Sequence, residues 1–596
     1  MLERSGNLVL LTSLFLVLLA FAFPVGLYPY QDMFRDVLTF ASGLLILCHI
    51  FWAGRFKLSA PGFIFFVPVF CLGLALNYLM TSPNVLFSYY WHFLAFGLAG
   101  VVAISVASLA ETWTKETVVR YLAVFLIAVF CFSALFGLMR YYGILGYFVP
   151  LITDEGARLI GPMGQPNLMA VLTALALGAI FYLRNRGLLS STRGFIGLVV
   201  LAFYVGSLTG SRTWYVTAIV ALWPSIAALF RGARERLTNH GVSQDGQTTR
   251  SALMIVILFV VVSLLAPKID ALIADSLQES GFIERINASE MYENRSLIGS
   301  SGRLDEWKNA LSGITAMEHP WFGYGVGRYG VFSNELKLND LTVSSGSIWL
   351  NAHNVFLNFM VEWGLSGVLI LLAFVGYLLW RITRAQPSSE NLFLICILLI
   401  LMLHNLVEFS LWYMPFLAIF IAAFTLIDNR HSFDFSSHWI RRVIVLSVLF
   451  VFLPFGAYVA KDMIVVTQVM YKKQPDFMDQ TALRDASRSA VVGNGALSVL
   501  ILRFDPPALG VGPELNFIAS VVNWRPEPLF LLRKATLLAA SGESERACEA
   551  IKRVTRLYPY SVNTVLDELT YLSVKSDVKP EDYIKCIAAE RQQEIN

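Results

Sequence analysis

The sequence predicts an all-α polytopic integral membrane protein, and three observations carry that prediction. Hydrophobic residues make up 56% of the chain and charged residues only 15%, against about a quarter charged in soluble proteins. About thirteen apolar segments of helix length follow one another, and none alternates as a barrel strand does. Lys and Arg gather in every second connection, as cytoplasmic loops require. Within lipid, hydrogen-bond economy leaves only helices or closed barrels as spans. The net charge of +3 is too small to argue for nucleic acid as a partner.

The first segment, near 8–23, resembles a signal-peptide core, but no small-residue cleavage site follows, so it reads as a retained helix. Further spans are expected near 32–52, 62–80, 86–110, 118–140, 166–183, 194–208, 213–230 and 252–266, then 352–380, 391–408, 412–427 and 443–461. With the N-terminus inside, the inner loops hold Arg55, Lys57, Lys115, Arg184, Arg186 and Arg193. The RGARER run at 231–236 and Arg381, Arg384, Arg430, Arg441 and Arg442 complete the inner set. The outer loops near 24–31, 81–85 and 409–411 have no Lys or Arg. An odd number of spans then puts the C-terminus outside.

Four regions follow: transmembrane helices over 1–266, a large outer loop over 267–351, more transmembrane helices over 352–461 and an outer tail over 462–596. In the loop, RLDEWKNALSGITAM predicts an amphipathic helix with Leu304, Trp307, Leu311 and Ile314 on one face. The glycines of HPWFGYGVGRYG predict a tight turn after it. In the tail, PLFLLRKATLLAASGESERACEAIKRVTRLYP reads as two antiparallel helices joined at SGES, a single tetratricopeptide-like unit. Cys548 and Cys586 share that tail and can pair if the outer face is oxidising. There is no CxxC, HExxH, Walker loop or zinc-ligand spacing, so no metal site and no cofactor is expected.

Two arginines stand on the wrong side of this pattern, Arg158 in ARLIGPMGQPN and Arg212 in LTGSRTW. An outward guanidinium calls for a local reason, and a bound phosphate or carboxylate supplies one because its oxygens match the guanidinium fork. After Arg158, Gly161, Gly164 and Pro166 surround Gln165 and Asn167 and then open a helix. Free N–H groups at such a start favour an anion, but the same spacing fits a plain turn. His353, in NAHNVFLNFMVEWGLSG, sits where the outer loop re-enters the membrane beside Asn354. An imidazole there can accept a hydroxyl proton near neutrality, or simply cap a helix. His404 and Glu408 fall four residues apart on one predicted helix face, and ionisable groups within a span default to a functional reading. Arg303 and Arg328 lie in a loop with other basic residues, where a surface salt bridge is the ordinary expectation.

The motifs GPMGQPNLMA, GSRTW, GRLDEWKNAL with HPWFGYGVGRYG, NAHNVFLNFMVEWGLSG and LHNLVEFSLWYMPFL occur in one order. From about residue 150 to 430 that series resembles bacterial protein O-oligosaccharyltransferases of the PglL kind, which glycosylate pilin and belong with the O-antigen ligases and polymerases. The resemblance assigns the essential family His to His353 and the GQ-x-N element to Gln165 and Asn167. It assigns the SRT arginine to Arg212, the loop arginine to Arg303 and the His-x-x-x-Glu element to His404 and Glu408. It implies a multi-pass protein of the bacterial inner membrane, with a donor glycan on undecaprenyl pyrophosphate and a Ser or Thr of an exported protein as acceptor. On this reading His353 is the base, Arg212, Arg303 and Arg158 grip the pyrophosphate, and Gln165, Asn167, Asn354, Arg328, His404 and Glu408 line the substrate pocket. The transfer is expected to need no metal and to invert the anomeric carbon. Two alternatives stand beside it. One is an O-antigen ligase or polymerase with a lipid-linked sugar acceptor. The other is a lipid-glycan transporter, which should place its polar groups at mid-membrane and show repeated halves.

Overall fold

In a computed structural model the described residues are 2–22, 32–53, 57–82, 86–145, 158–223, 246–280, 302–314, 317, 319–339, 348–433, 438–489, 491–504, 511–558, 562–575 and 579–591. They are helical almost throughout. In chain order the first helices are α1 (Leu2–Ala22), α2 (Met33–Ala53), α3 (Phe66–Thr81), α4 (Phe87–Thr112) and α5 (Lys115–Tyr141). Next come α6 (Pro166–Asn185), α7 (Thr192–Leu208), α8 (212–223) and α9 (Gly246–Glu279). Two shorter helices, α10 (Arg303–Ile314) and α11 (Tyr329–Asn339), precede α12 (Val355–Arg384), α13 (Ser389–Asn405), α14 (Met414–Ile427) and α15 (His438–Tyr471). The described part of each predicted span falls largely on one of these helices, and residues 224–230 of the span expected at 213–230 lie outside the described residues. Seven are long and apolar enough by length and composition to cross a membrane. The protein is therefore an all-α polytopic membrane protein.

The core is centred on α6. Its sequence NLMAVLTALALGAIFYL is apolar on every side, and Leu168 to Leu183 are all buried. A helix of that kind has no solvent face and must be surrounded. Helices α5, α7 and α13 pack around it.

The predicted inner loops do meet on one face. Strand β1 (Leu58–Pro61) pairs antiparallel with β2 (Arg430–Phe433), Leu58 opposite Phe433. Arg381 Nε lies 2.7 Å from Asp428 Oδ1, and Arg186 bridges Glu116 and Glu390. The RGARER run lies outside the described residues.

Three of the boundaries that differ from expectation bear on the site and the tail. Helix α9 runs on through Pro267 to Glu279, because Tyr141 and Tyr142 donate to Asp270 at 2.9 and 3.0 Å and hold its extension against α5. Helix α15 likewise runs ten residues past 461, packing Val466 and Val469 with the tail residues Leu483 and Val492. Helix α13 stops at Asn405 rather than 408.

The tail is built from α16 (Phe477–Ala486), α17 (Gly493–Arg503), α18 (Val511–Val522), α19 (Pro528–Ala540), α20 (Ser544–Leu557), α21 (Val562–Lys575) and α22 (Pro580–Arg591). The predicted hairpin is α19 and α20, packed through Leu532, Ala535, Ala539, Ala547, Ile551 and Val554. Cys548 and Cys586 form a disulfide that ties α20 to α22.

Candidate functional site

Glu408 is the centre of a polar cluster on the face opposite the β1–β2 pair. The turn that carries it exists because Asn405 ends α13. Its Nδ2 donates to Leu401 O at 2.7 Å and Ser410 Oγ at 2.9 Å, and its Oδ1 accepts from Leu411 N at 3.1 Å. Those bonds replace the next helical turn and swing Glu408 inward, where it is 1% exposed. A buried carboxylate must be paired. Arg303 Nη2 and Asn167 Nδ2 both bond Oε1, and His353 Nδ1 lies 2.9 Å from Oε2.

The cluster extends from Asn167. Its Oδ1 accepts from Ser211 Oγ at 2.7 Å and from Arg158 Nη2 at 3.3 Å, while Arg158 Nε donates to Thr209 O at 2.7 Å. Arg212, next to Ser211, opens α8 with an exposed guanidinium. Among the described residues it makes no hydrogen bond or ion pair. Burial alone would push the Glu408 carboxyl up, but the His353 hydrogen bond and the Arg303 charge outweigh that and hold it below its ordinary pKa.

His353 adopts a positive φ of 47°, one of two non-glycine residues among those described to do so. Such a conformation costs free energy and persists only where the surroundings over-determine it. Here its N–H donates to Asn351 Oδ1 at 3.0 Å, its ring meets Trp349 and Phe409 edge-on, and Nδ1 is held by Glu408. Facing an ionised Glu408, the neutral form of the ring has its proton on Nδ1 and its lone pair on Nε2. The ring borders a cavity of about 270 Å³.

Asn354 borders the same cavity and also has a structural job. It caps α12, its Oδ1 accepting from Phe356 N and Leu357 N at 3.0 and 3.1 Å, and its Nδ2 donates to Leu406 O at 3.1 Å. Its polar atoms are thus committed to structure, although it borders the cavity. Helix α12 breaks at Gly364, where φ is 66° and ψ is −163°. The glycine-rich turn crosses this break. Tyr324 N and Gly325 N donate to Val361 O and Glu362 O at 2.8 and 3.0 Å, and Leu365 N and Ser366 N donate to Pro320 O and Trp321 O at 2.9 and 3.1 Å. Four backbone groups beside the break, Val361 O, Glu362 O, Leu365 N and Ser366 N, are thus bonded to the turn, as burial demands.

Two family models match the chain. One, described as O-antigen ligase, covers residues 196–372, and one, described as virulence factor membrane-bound polymerase, C-terminal, covers 392–565. The general O-oligosaccharyltransferase of Acinetobacter baylyi is 23% identical over 569 residues, 92% of each chain. The ComP-specific O-oligosaccharyltransferase of the same organism is 23% identical over 302 residues, 51% of this chain and 50% of its own. Over these two stretches the chain is similar to the O-antigen ligase superfamily, and both relatives are named as O-oligosaccharyltransferases, a kind of glycosyltransferase.

The residues singled out in the sequence divide. His353, Glu408, Arg303, Asn167 and Arg158 form one hydrogen-bonded network, and Arg212 adjoins it. Gln165 is the N-cap residue of α6, half-buried, with no capping bond from its side chain. Arg328 stands apart, donating to Tyr324 O at 3.2 Å. Arg303 is no surface pair, since its partner Glu408 is buried. The expected His404–Glu408 side-chain pair is not formed. Helix α13 ends between them, and His404 lies buried with its carbonyl accepting Glu408 N at 2.8 Å.

Sequence reading missed Asp32, Arg35 and Asp36 at the start of α2. Arg35 Nη1 lies 2.7 Å from Asp32 Oδ1, and Nη2 donates to Pro162 O at 3.0 Å, which fixes the GPMGQPN turn to α2. Three charges in five residues of a supposed span, DMFRD, were the available signal.

Proposed function

We propose that the protein transfers a preassembled glycan from undecaprenyl pyrophosphate to Ser or Thr hydroxyls of exported proteins such as pilin, at the periplasmic face of the bacterial inner membrane. The observation that carries this reading is His353, bound through Nδ1 to a buried carboxylate and left with Nε2 as a base. The names of the two Acinetobacter relatives support the protein acceptor. On this reading the acceptor hydroxyl attacks the anomeric carbon and its proton goes to His353 Nε2. The carbon–oxygen bond to the diphosphate breaks as the new one forms, and its electron pair leaves on the diphosphate. A single displacement inverts the anomeric centre.

The leaving group needs cations where charge develops. Arg212, Arg303 and Arg158 outnumber the single carboxylate of the cluster. Beside the His353 cavity lies an apolar cavity of about 170 Å³, walled by Phe66, Phe70, Phe96, Phe359 and Phe374. The two share Trp91, His92, Val355 and Trp412. The reading places the N-terminus in the cytoplasm and the tail in the periplasm, with thirteen crossings between.

The ligase and polymerase family models favour a second reading, in which the acceptor is a lipid-linked sugar. Intact-mass spectrometry of exported proteins from cells with and without the gene separates the two. A glycan mass on a Ser or Thr peptide that disappears with the gene is the expected result. Unmodified proteins beside altered lipopolysaccharide would replace the first reading by the second.

A further inference from the structure

The cavity bordered by His353 is chemically unlike the arginine cluster on the other side of Glu408. Its walls include Asp32, Asp36, Glu362 and Glu408 with His92 and His353, and among the described residues no Lys or Arg lines it. A diphosphate entering there would meet four carboxyl groups and, among the described residues of the wall, no Lys or Arg, so the arginine cluster is the better place for it. A hydroxyl-bearing group meets a row of acceptors instead. Asp36 is the decisive side chain. It is 1% exposed, and its Oδ1 accepts from Met414 N at 3.0 Å. Its Oδ2 is buried without a hydrogen-bond partner among the described residues, on a carboxylate that lines this cavity. Buried polar atoms are nearly always satisfied, so an orphan on a cavity wall marks a place for a polar group from outside.

We infer that this cavity is the acceptor pocket and that Asp36 hydrogen-bonds the acceptor residue, opposite the His353 base, while the donor diphosphate stays on the arginine side of Glu408. The inference rests on the transferase reading above. It separates the two substrates by the groups that line each side: one carboxylate, Glu408, divides an arginine-bearing side from a carboxyl-lined one. The neighbours of Asp36 agree with this division. Arg35, on the adjacent position, turns to Asp32 and Pro162. Tyr413, before the Met414 amide that holds Asp36, lines the same cavity.

The test uses the full-length enzyme in detergent, with undecaprenyl-pyrophosphate-linked oligosaccharide extracted from the source cells and a purified acceptor protein that those cells glycosylate. Asp36→Asn keeps the Met414 hydrogen bond and removes one acceptor atom. The expected result is at least a tenfold rise in acceptor KM with donor KM unchanged. Equal acceptor KM in variant and parent, or a change confined to donor KM, overturns the assignment. A second measurement leaves Asp36 intact. A benzophenone amino acid at Leu350, an exposed residue on the same wall, should crosslink to the acceptor protein. Crosslinking to the lipid-linked glycan instead would overturn the proposal. A parent enzyme that moves no glycan onto protein would retire the transferase reading itself, an outcome distinct from either failure.

Discussion

His353 is held in a backbone conformation uncommon for a non-glycine residue, and four side chains, Asn351, Trp349, Phe409 and Glu408, hold it there. That arrangement resembles a base oriented by a carboxylate, in which losing either member is costly. His353→Ala should abolish transfer while membrane abundance stays at the parent level, read by a glycan-specific blot against total protein. Glu408→Gln keeps the size but lets Nδ1 become an acceptor, which inverts the tautomer. Transfer should fall on the order of 10²–10⁴-fold, the usual contribution of a positioned base. Glu408 also carries a pH signature. Its folded pKa is lowered, so its contribution to stability is complete above the ordinary Glu value of about 4.3 and is lost as pH falls through the lower folded value. The stability gap between parent and Glu408→Gln should therefore be constant at neutral pH and close below about pH 4. Thermal unfolding across pH checks this, and a gap that widens in acid contradicts it. Arg212→Lys keeps the charge and loses the fork. Transfer by that variant should drop at least tenfold, and parent-like rates would mean that Arg212 makes no bidentate phosphate contact.

At the scale of elements, the broken helix α12 and the glycine-rich turn are one unit. A methyl group at Gly364 would lie 2.5 Å from Trp321 C and 2.6 Å from Gly323 N, and one at Gly323 would lie 2.4 Å from Val361 O. Gly364 also sits in a region of backbone space that only glycine occupies readily. Gly364→Ala should destabilise the protein by at least about 2 kcal/mol, through strain and through loss of the hydrogen bonds that cross the break. The drop in Tm of detergent-purified protein measures it, and an unchanged Tm would mean that the break is not a stressed joint. The element matters to function because α12 begins two residues after His353. Sequence showed the glycines as a turn and NAHNVFLNFMVEWGLSG as a span. It did not show that the turn and span repair each other, because that depends on residues some forty positions apart.

At the scale of the whole molecule, the tail reaches the site. Ile348 N donates to the hydroxyl of Tyr558 at 3.2 Å, five residues before His353. The Trp524 ring meets Phe87, a cavity wall residue, with centroids 5.8 Å apart. The tail is thus a brace for the cavity as well as a separate helical array. Deleting residues from 511 onward should lower transfer to a short Ser peptide at least tenfold at equal protein abundance. An unchanged peptide reaction, with loss only for whole acceptor proteins, would assign the tail to docking instead. Chelators should leave the rate of the full-length enzyme unchanged. A loss that added divalent cation restores would place a metal in the reaction and retire the arginine-only proposal.

Taken by itself, the sequence determined the class, the helices and which connections share a face. Those follow from hydropathy, segment length and the placement of Lys and Arg, all local or additive properties of the chain. It also marked His353, Arg212 and Glu408 by their types and surroundings. Only the tertiary structure decided that Glu408 turns from His404 to His353, that Asn354 is a cap and that Asp36 faces a cavity. A side chain's partner depends on where distant backbone segments stop, and α13 stops at Asn405 through bonds made by a single amide. Burial then does the rest, because a carboxylate removed from water must take whatever donors the fold brings within reach.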